Sequence, residues 1–189
     1  MKNKYEKYYK IIQEQAERFD KTQNCGVGQT WKYHLEPVVK NACMLAERYG
    51  ADRDVVEMAA LFHDYADLLD FANRDNHHIL GAELAEGFLA EDGFDQLFID
   101  KVKLCIRNHR GSVVNEKLSI EEICVADADA MSHFDSVVEL ICWRAYLGED
   151  IMTANNFVKA KIKKSYAKMS EPTKELMKDK YESIMKVLF

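Results

Sequence analysis

Only two prolines and eight glycines interrupt 189 residues, and between them apolar side chains return at i, i+3 and i+4. That spacing lines one face of a helix; a strand would alternate with a period of two. The chain is therefore expected to be all-α, a bundle of about seven to eight helices joined by short loops. With 48% of its residues apolar, it can fill a single core, and extensive disorder is excluded.

The first helix is expected over about residues 3 to 20, with Tyr5, Tyr8, Tyr9, Ile12 and Ala16 on one side, followed by a loop at Asn24-Cys25-Gly26-Val27-Gly28. A second runs from near His34 to Tyr49 and stops at Gly50. Pro37 suits a first turn, which puts His34 at the helix mouth. Asp52 caps a third helix, which carries His63 and Asp64 in its C-terminal half, and residues 68 to 76 connect it onward. His77 and His78 open the next helix, ending near Gly93. Another covers about 95 to 109, with Gly111 breaking it and His109 at its end. Ser119 and Glu122 form a capping box for a long helix from 120 to about 147. Two more helices follow, over 153 to 169 and, after Pro172, over 173 to 188. The expected organisation is an N-terminal helix and loop (1–30), a central helical domain (31–150) and a C-terminal extension (151–189) packed on that same domain.

A net charge of −6 without a clustered basic stretch argues against a nucleic-acid duplex as partner. The nearest approach to such a stretch, Lys159, Lys161, Lys163 and Lys164, reads as a solvated helix face. Five cysteines make an odd count, and none is spaced as C-x-x-C, so neither a disulfide scaffold nor a thiolate zinc site is expected. Cys43, Cys105, Cys124 and Cys142 fall on apolar helical faces, which suits a reducing compartment. No apolar stretch is long enough for a signal or a membrane span. A cytoplasmic protein is expected.

Within this pattern the pair His63-Asp64 stands directly after the apolar run Ala59-Ala60-Leu61-Phe62. Side chains so costly to bury seldom face a core unless they are paired or hold a metal. His34 lies upstream, and His77, His78, His109, Asp127 and Asp129 lie downstream, all beside helical apolar patterns. Imidazoles and carboxylates together form a mixed N/O donor set suited to a divalent ion, one or two per chain, from among Mn, Fe, Co, Ni, Zn and Mg. Such histidines need acceptors that fix their tautomer, and Asp67 and Asp127 are candidates.

The order His34, His63-Asp64, Asp129 resembles the HD superfamily of metal-dependent phosphohydrolases. The similarity spans roughly residues 30 to 145. It is carried by Ala59-Ala60-Leu61-Phe62-His63-Asp64, His77-His78-Ile79-Leu80-Gly81-Ala82-Glu83, Ile106-Arg107-Asn108-His109 and Val125-Ala126-Asp127-Ala128-Asp129-Ala130-Met131. By position, the resemblance implies His34, His63, Asp64 and Asp129 as metal ligands. Asp129 is favoured over Asp127 by its setting, Ala128-Asp129-Ala130-Met131. Some members add two histidines for a second metal or for phosphate. His77, with His78 as the alternative, and His109 match that version.

The implied function is hydrolysis of a phosphate ester or anhydride of a small substrate, a nucleotide, since a divalent ion lowers the pKa of water and polarises a phosphoryl oxygen. Asp64 and Asp67 are the candidate catalytic carboxylates. Arg107, Arg110 and Lys103 are candidates for the substrate phosphate, with a solvated surface as the plainer reading for the arginines. His133, four residues after Asp129, shares its helical face and is a candidate for a supporting role, as is Asp127. Trp31, Tyr33, Phe71, Phe134 and Trp143 read mostly as core, although Tyr33 or Phe71 could stack on a base. Two other functions stay open: a non-catalytic metal- or nucleotide-binding sensor or scaffold, and oxidative chemistry at a di-iron centre. The amphipathic helices after residue 150 leave a homodimer surface open as well.

Overall fold

The computed structural model describes residues 4–23, 29–110 and 117–188; the expected loop at 24–28 and the break at Gly111 lie outside them. The described residues contain helices and no strand. Among the described residues nine α-helices have ten residues or more, slightly above the expected number, and a tenth has five.

α1 (Glu6–Thr22) buries Tyr8, Ile12 and Ala16 at four-residue spacing, as the sequence pattern requires. Its Tyr8 ring meets Phe62 edge-on at 5.7 Å. α2 (Glu36–Tyr49) ends at Gly50, whose φ of 73° is left-handed and stops the helix. α3 (Arg53–Phe62) begins at Asp52, whose side chain accepts from the backbone N–H groups of Asp54 and Val55. Every residue of α3 from Val55 to Phe62 is buried, so this helix is the axis of the fold. Its flank is built from α5 (His77–Glu91) and α6 (Gln96–Asn108), which pack on each other, and from α2 packed on α7 (Ile120–Asp135). Fully buried Phe62, Leu45, Leu61 and Ile99 each contribute roughly 1.5–3 kcal/mol of burial free energy.

Three local departures from the expected elements shape the site. First, the backbone is already helical at Gln29 and Thr30, and Trp31–Leu35 is a π-turn, closed by the Glu36 N–H donating to the Trp31 carbonyl. Pro37 lacks an N–H, and its ring would strike the Tyr33 carbonyl in a regular helix, so the turn widens. His34 therefore sits inside a helix and not at its mouth. Second, α3 stops at Phe62, and His63-Asp64 is a turn before the short α4 (Tyr65–Leu69) and a 3₁₀ turn at Phe71–Asp75. The expected connection over 68 to 76 is thus largely helical. Third, the long helix expected from 120 to 147 is divided at Ser136 (φ −113°, ψ 23°) into α7 and α8 (Val137–Tyr146). Ser136 Oγ donates to the Ser132 carbonyl at 2.9 Å, a back-bond that bends helices.

α9 (Ile151–Lys168) and α10 (Glu171–Val187) return across α7 and α8. Val158, Ile162, Met177 and Leu188 join the same apolar cluster as α2 and α3. Of the cysteines, Cys105 and Cys124 are buried and Cys43 is half-buried, but Cys142 is exposed, off any packed face. No helix among the described residues is long and apolar enough to cross a membrane.

Candidate metal centre

The turn after α3 aims His63 and Asp64 into the base of a cleft of about 650 Å³, walled on one side by α8 and α9. His63 is completely buried, which follows from its place at the end of the most enclosed helix. The widened turn before α2 brings His34 to the same point. Asp64 stands at the centre and uses both carboxylate oxygens. Oδ2 lies 3.0 Å from His34 Nε2 and 3.3 Å from His63 Nε2, while Oδ1 lies 3.3 Å from His77 Nε2 and 3.6 Å from His109 Nε2. Asp129, from α7, adds Oδ1 at 4.0 Å from His34 Nε2.

Each imidazole has its tautomer set by an acceptor on the far side of the ring. His63 Nδ1–H donates to the Ala60 carbonyl at 2.7 Å, His77 to Arg74 at 2.7 Å and His109 to Ile106 at 2.6 Å. Ser132 Oγ donates to the Asp129 carbonyl at 2.7 Å, which leaves its oxygen to accept from His34 Nδ1–H at 3.2 Å. With every Nδ1 a donor, the neutral rings turn bare Nε2 lone pairs inward. Those atoms nonetheless face each other in pairs, 3.3 Å apart for His34 and His63 and 3.2 Å for His77 and His109. Two lone pairs at that distance repel unless a positive charge sits between them.

A divalent ion fits this arrangement. Donor atoms that shared one ion through bonds of about 2.0–2.1 Å would stand roughly 3 Å apart, close to the 3.0–3.6 Å spacings around Asp64. His34, His63 and Asp64 form one such group, Asp64, His77 and His109 another, and His34, Asp129 and His133 a third that overlaps the first. The acceptors behind the rings supply the support that metal-binding histidines need. They are backbone carbonyls and Ser132, in place of the expected Asp67 and Asp127.

The electrostatics agree with a cation at the centre. Burial alone would drive the His63 imidazolium down and the Asp64 carboxyl up. Their mutual attraction prevails, so His63 is raised to about 9 and Asp64 is held well below the usual carboxylate range. The field that draws a proton to His63 Nε2 would equally draw a metal ion. Burial also raises the Asp129 carboxyl, but Lys168 and three nearby histidines outweigh it and keep the group ionised. His109 is lowered by burial, which leaves it neutral. Asp67 is raised, first by burial and then by the Asp64 charge.

The other candidates divide between the cleft and its surroundings. Asp67 and Arg110 line it; Arg110 also donates to the Asp75 carbonyl. Arg107 is on the exposed face of α6, and Lys103 is tied to Glu86 at 2.5 Å, so neither lies along the cleft. His78 joins none of these donor groups and does not line the cleft, and its buried Nδ1 has no partner among the described residues. Asp127 accepts from the backbone N–H of Ser170 at 3.1 Å and from its hydroxyl, anchoring the start of α10. His133 stacks on His34 at 6.0 Å and is held by Ser165 at 2.9 Å.

Helical periodicity missed the basic wall. Lys161, Lys164 and Lys168 of α9 and Arg144 of α8 line the cleft, and Lys168 Nζ sits 2.9 Å from Asp129 Oδ2. The expected solvated face around Lys159–Lys164 is thus partly an inner one. Tyr33, Phe71 and Trp143 also line the cleft and are not simply core.

Comparison with known proteins agrees with this geometry. Two curated relatives, Ribonuclease Y of Pseudothermotoga lettingae and of Enterococcus faecalis, are 30% and 33% identical over 105 residues, 56% of this chain. The chain spans only about a fifth of their length, 19% and 18% respectively. Among solved structures, a predicted HD superfamily hydrolase from an uncultured Thermotogales bacterium superposes with a TM-score of 0.64 at 23% identity. That match covers 97% of this chain and 88% of the other. An HD-superfamily hydrolase from Bacillus thuringiensis gives 0.62 at 22% identity, covering 95% and 93%. At those identities the likeness is one of fold. The family model described as HD domain matches residues 32–133, more than half of the chain and the stretch that supplies every histidine and carboxylate around Asp64, so the chain belongs to the HD-domain family.

Proposed function

We propose that this protein is a divalent-metal-dependent phosphohydrolase that cleaves a phosphate ester or anhydride of a small substrate, a nucleotide. The observation that carries this reading is Asp64, whose two oxygens each face a pair of inward-turned Nε2 atoms at the floor of a cleft edged with cations. In this reading His34, His63, Asp64 and Asp129 hold one ion, and Asp64, His77 and His109 hold a second. Ions bound there polarise a phosphoryl oxygen and bring the pKa of a water molecule near neutrality.

The chain's own residues do the rest. Asp67 lines the cleft, its Oδ1 has no hydrogen-bond partner among the described residues, and its carboxyl is raised. In this reading it takes the proton of the attacking water and returns it to the leaving oxygen. Arg74, 3.3 Å from Asp67 Oδ2, orients that carboxylate, and Arg110 faces the incoming phosphate. The names of the curated relatives denote cleavage of phosphodiesters in RNA, which accords with chemistry at phosphorus.

The test is elemental analysis of protein purified without chelator, followed by phosphate-release assays on nucleotides with each of Mn, Fe, Co, Ni, Zn and Mg. Bound metal with turnover supports the proposal. Tight nucleotide binding with no product under any of these ions would replace it with a sensor.

A further inference from the structure

Six cations line the cleft, and four of them are already matched. Arg74 pairs with Asp67, Arg110 with Asp75, Arg144 with Glu149 and Lys168 with Asp129. Lys161 and Lys164 are the remainder; among the described residues neither has a carboxylate within ion-pair distance. Glu139 shares the cleft and feels the Lys161 charge without forming an ion pair with it. Lys161 and Lys164 stand three residues apart on α9 and so share a helical face. Lys161 is largely withdrawn from water, which lowers its ammonium pKa. Such a charge is costly to leave unmatched.

Next to the cleft is an annex of about 510 Å³, where Phe19, Phe71, Trp143, Tyr146 and Leu147 share the lining with the polar Gln23, Gln29 and Thr30. The two spaces adjoin, since Phe71, Arg74, Glu139 and Trp143 border both. Phe71 and Trp143 are 46% and 38% exposed; Arg74 lies over the Phe71 ring at 5.0 Å and Arg144 over the Trp143 ring at 5.7 Å, which leaves part of each aromatic surface open inside a concavity. Lys161, Lys164 and Trp143 all lie outside residues 32–133, so the family segment supplies the floor and the following helices supply this wall.

We infer that the wall selects the substrate: Lys161 and Lys164 hold phosphates beyond the one at the Asp64 floor, and the annex takes an aromatic group between Phe71 and Trp143. The substrate class is an aromatic compound bearing a chain of two or more phosphates, of which a nucleoside triphosphate is the simplest. This rests on the phosphohydrolase reading for the place of the reacting phosphate, but the binding it requires can be measured without turnover.

Calorimetric titration of the purified, metal-containing protein with α,β-methylene-ATP, AMP and inorganic tripolyphosphate separates the two parts of the wall. A Lys161→Gln/Lys164→Gln variant is expected to weaken the ATP analogue and tripolyphosphate by about tenfold or more, the scale of lost charge-assisted contacts. It should leave AMP within about threefold. Trp143→Leu should weaken the analogue and AMP alike and leave tripolyphosphate unchanged. Thermal melts of both variants check that they fold as wild type does. Equal weakening of all three ligands by the double variant, no change in any, or no binding of tripolyphosphate would overturn the inference. So would tighter binding of a short single-stranded RNA than of the analogue. A parallel phosphate-release assay keeps the failures distinct: shifted selectivity without turnover defeats the hydrolase reading alone, and turnover with unshifted selectivity defeats the wall alone.

Discussion

Asp64 divides its two oxygens between two histidine pairs, and substitutions should separate those duties. Asp64→Asn is expected to reduce metal content from about two ions to nearly none, whereas His109→Ala should lose about one; plasma emission spectroscopy on chelator-free protein reads both. Equal losses in the two variants would mean a single-ion site. Asp67→Asn should keep its metal but lower kcat by about 10²- to 10⁴-fold, the range for a lost proton-transfer group. The resemblance made His34, His63-Asp64 and Asp129 legible as a group, and the preference for Asp129 over Asp127 rested on that same resemblance. The tautomer-setting acceptors were not legible, because three of them are backbone carbonyls three residues before their histidine. A main-chain oxygen has no residue type to read.

At the scale of elements, the π-turn at Trp31–Leu35 is where sequence and structure diverge most. Pro37 signals a helix start, and that rule is sound when nothing upstream is helical. Here packing keeps residues 29–35 helical, and the turn absorbs the proline by widening. Pro37→Ala should restore a regular turn, gain up to about 3 kcal/mol of helix stability and rotate His34 out of the cluster. Chemical denaturation and metal titration check this as a rise in stability with a fall in affinity; retained affinity would mean that the π-turn is not what aims His34. The break at Ser136 escaped notice for a related reason: apolar periodicity continues from α7 into α8, and a single serine back-bond carries little weight against it. For α9, an amphipathic pattern divides polar from apolar faces but does not say whether the polar face meets bulk water or a cleft.

Across the whole molecule, α9 and α10 share one apolar cluster with α2, α3 and α7. We expect residues 151–189 to melt with the rest in one cooperative transition, and two resolved transitions in calorimetry would contradict this. Buried thiols give stability a pH dependence of known sign. Burial raises Cys43 from its ordinary 9.0 to about 11 and Cys124 to about 12. Between those limits the unfolded chain has lost thiol protons that the folded chain keeps, so it binds fewer protons, and stability falls as pH rises. Urea midpoints at about pH 8 and about pH 10.5 should show that fall, and a Cys43→Ser/Cys124→Ala variant should lessen it, the remainder coming from Cys105 and Tyr8, which burial also raises.

By itself the sequence determined the helical class, most helix boundaries and the identities of the histidines and carboxylates around Asp64, because periodicity, caps and a motif within 102 residues are local properties. Only the tertiary structure decided that His34 is turned inward from a widened helix, that Lys161, Lys164 and Lys168 face a cleft, and that Phe71 and Trp143 border an annex. The first depends on how packing holds a helix across Pro37, and the other two on how α8 and α9 lie across α7. Long-range packing sets that placement, and no pattern along the chain encodes it.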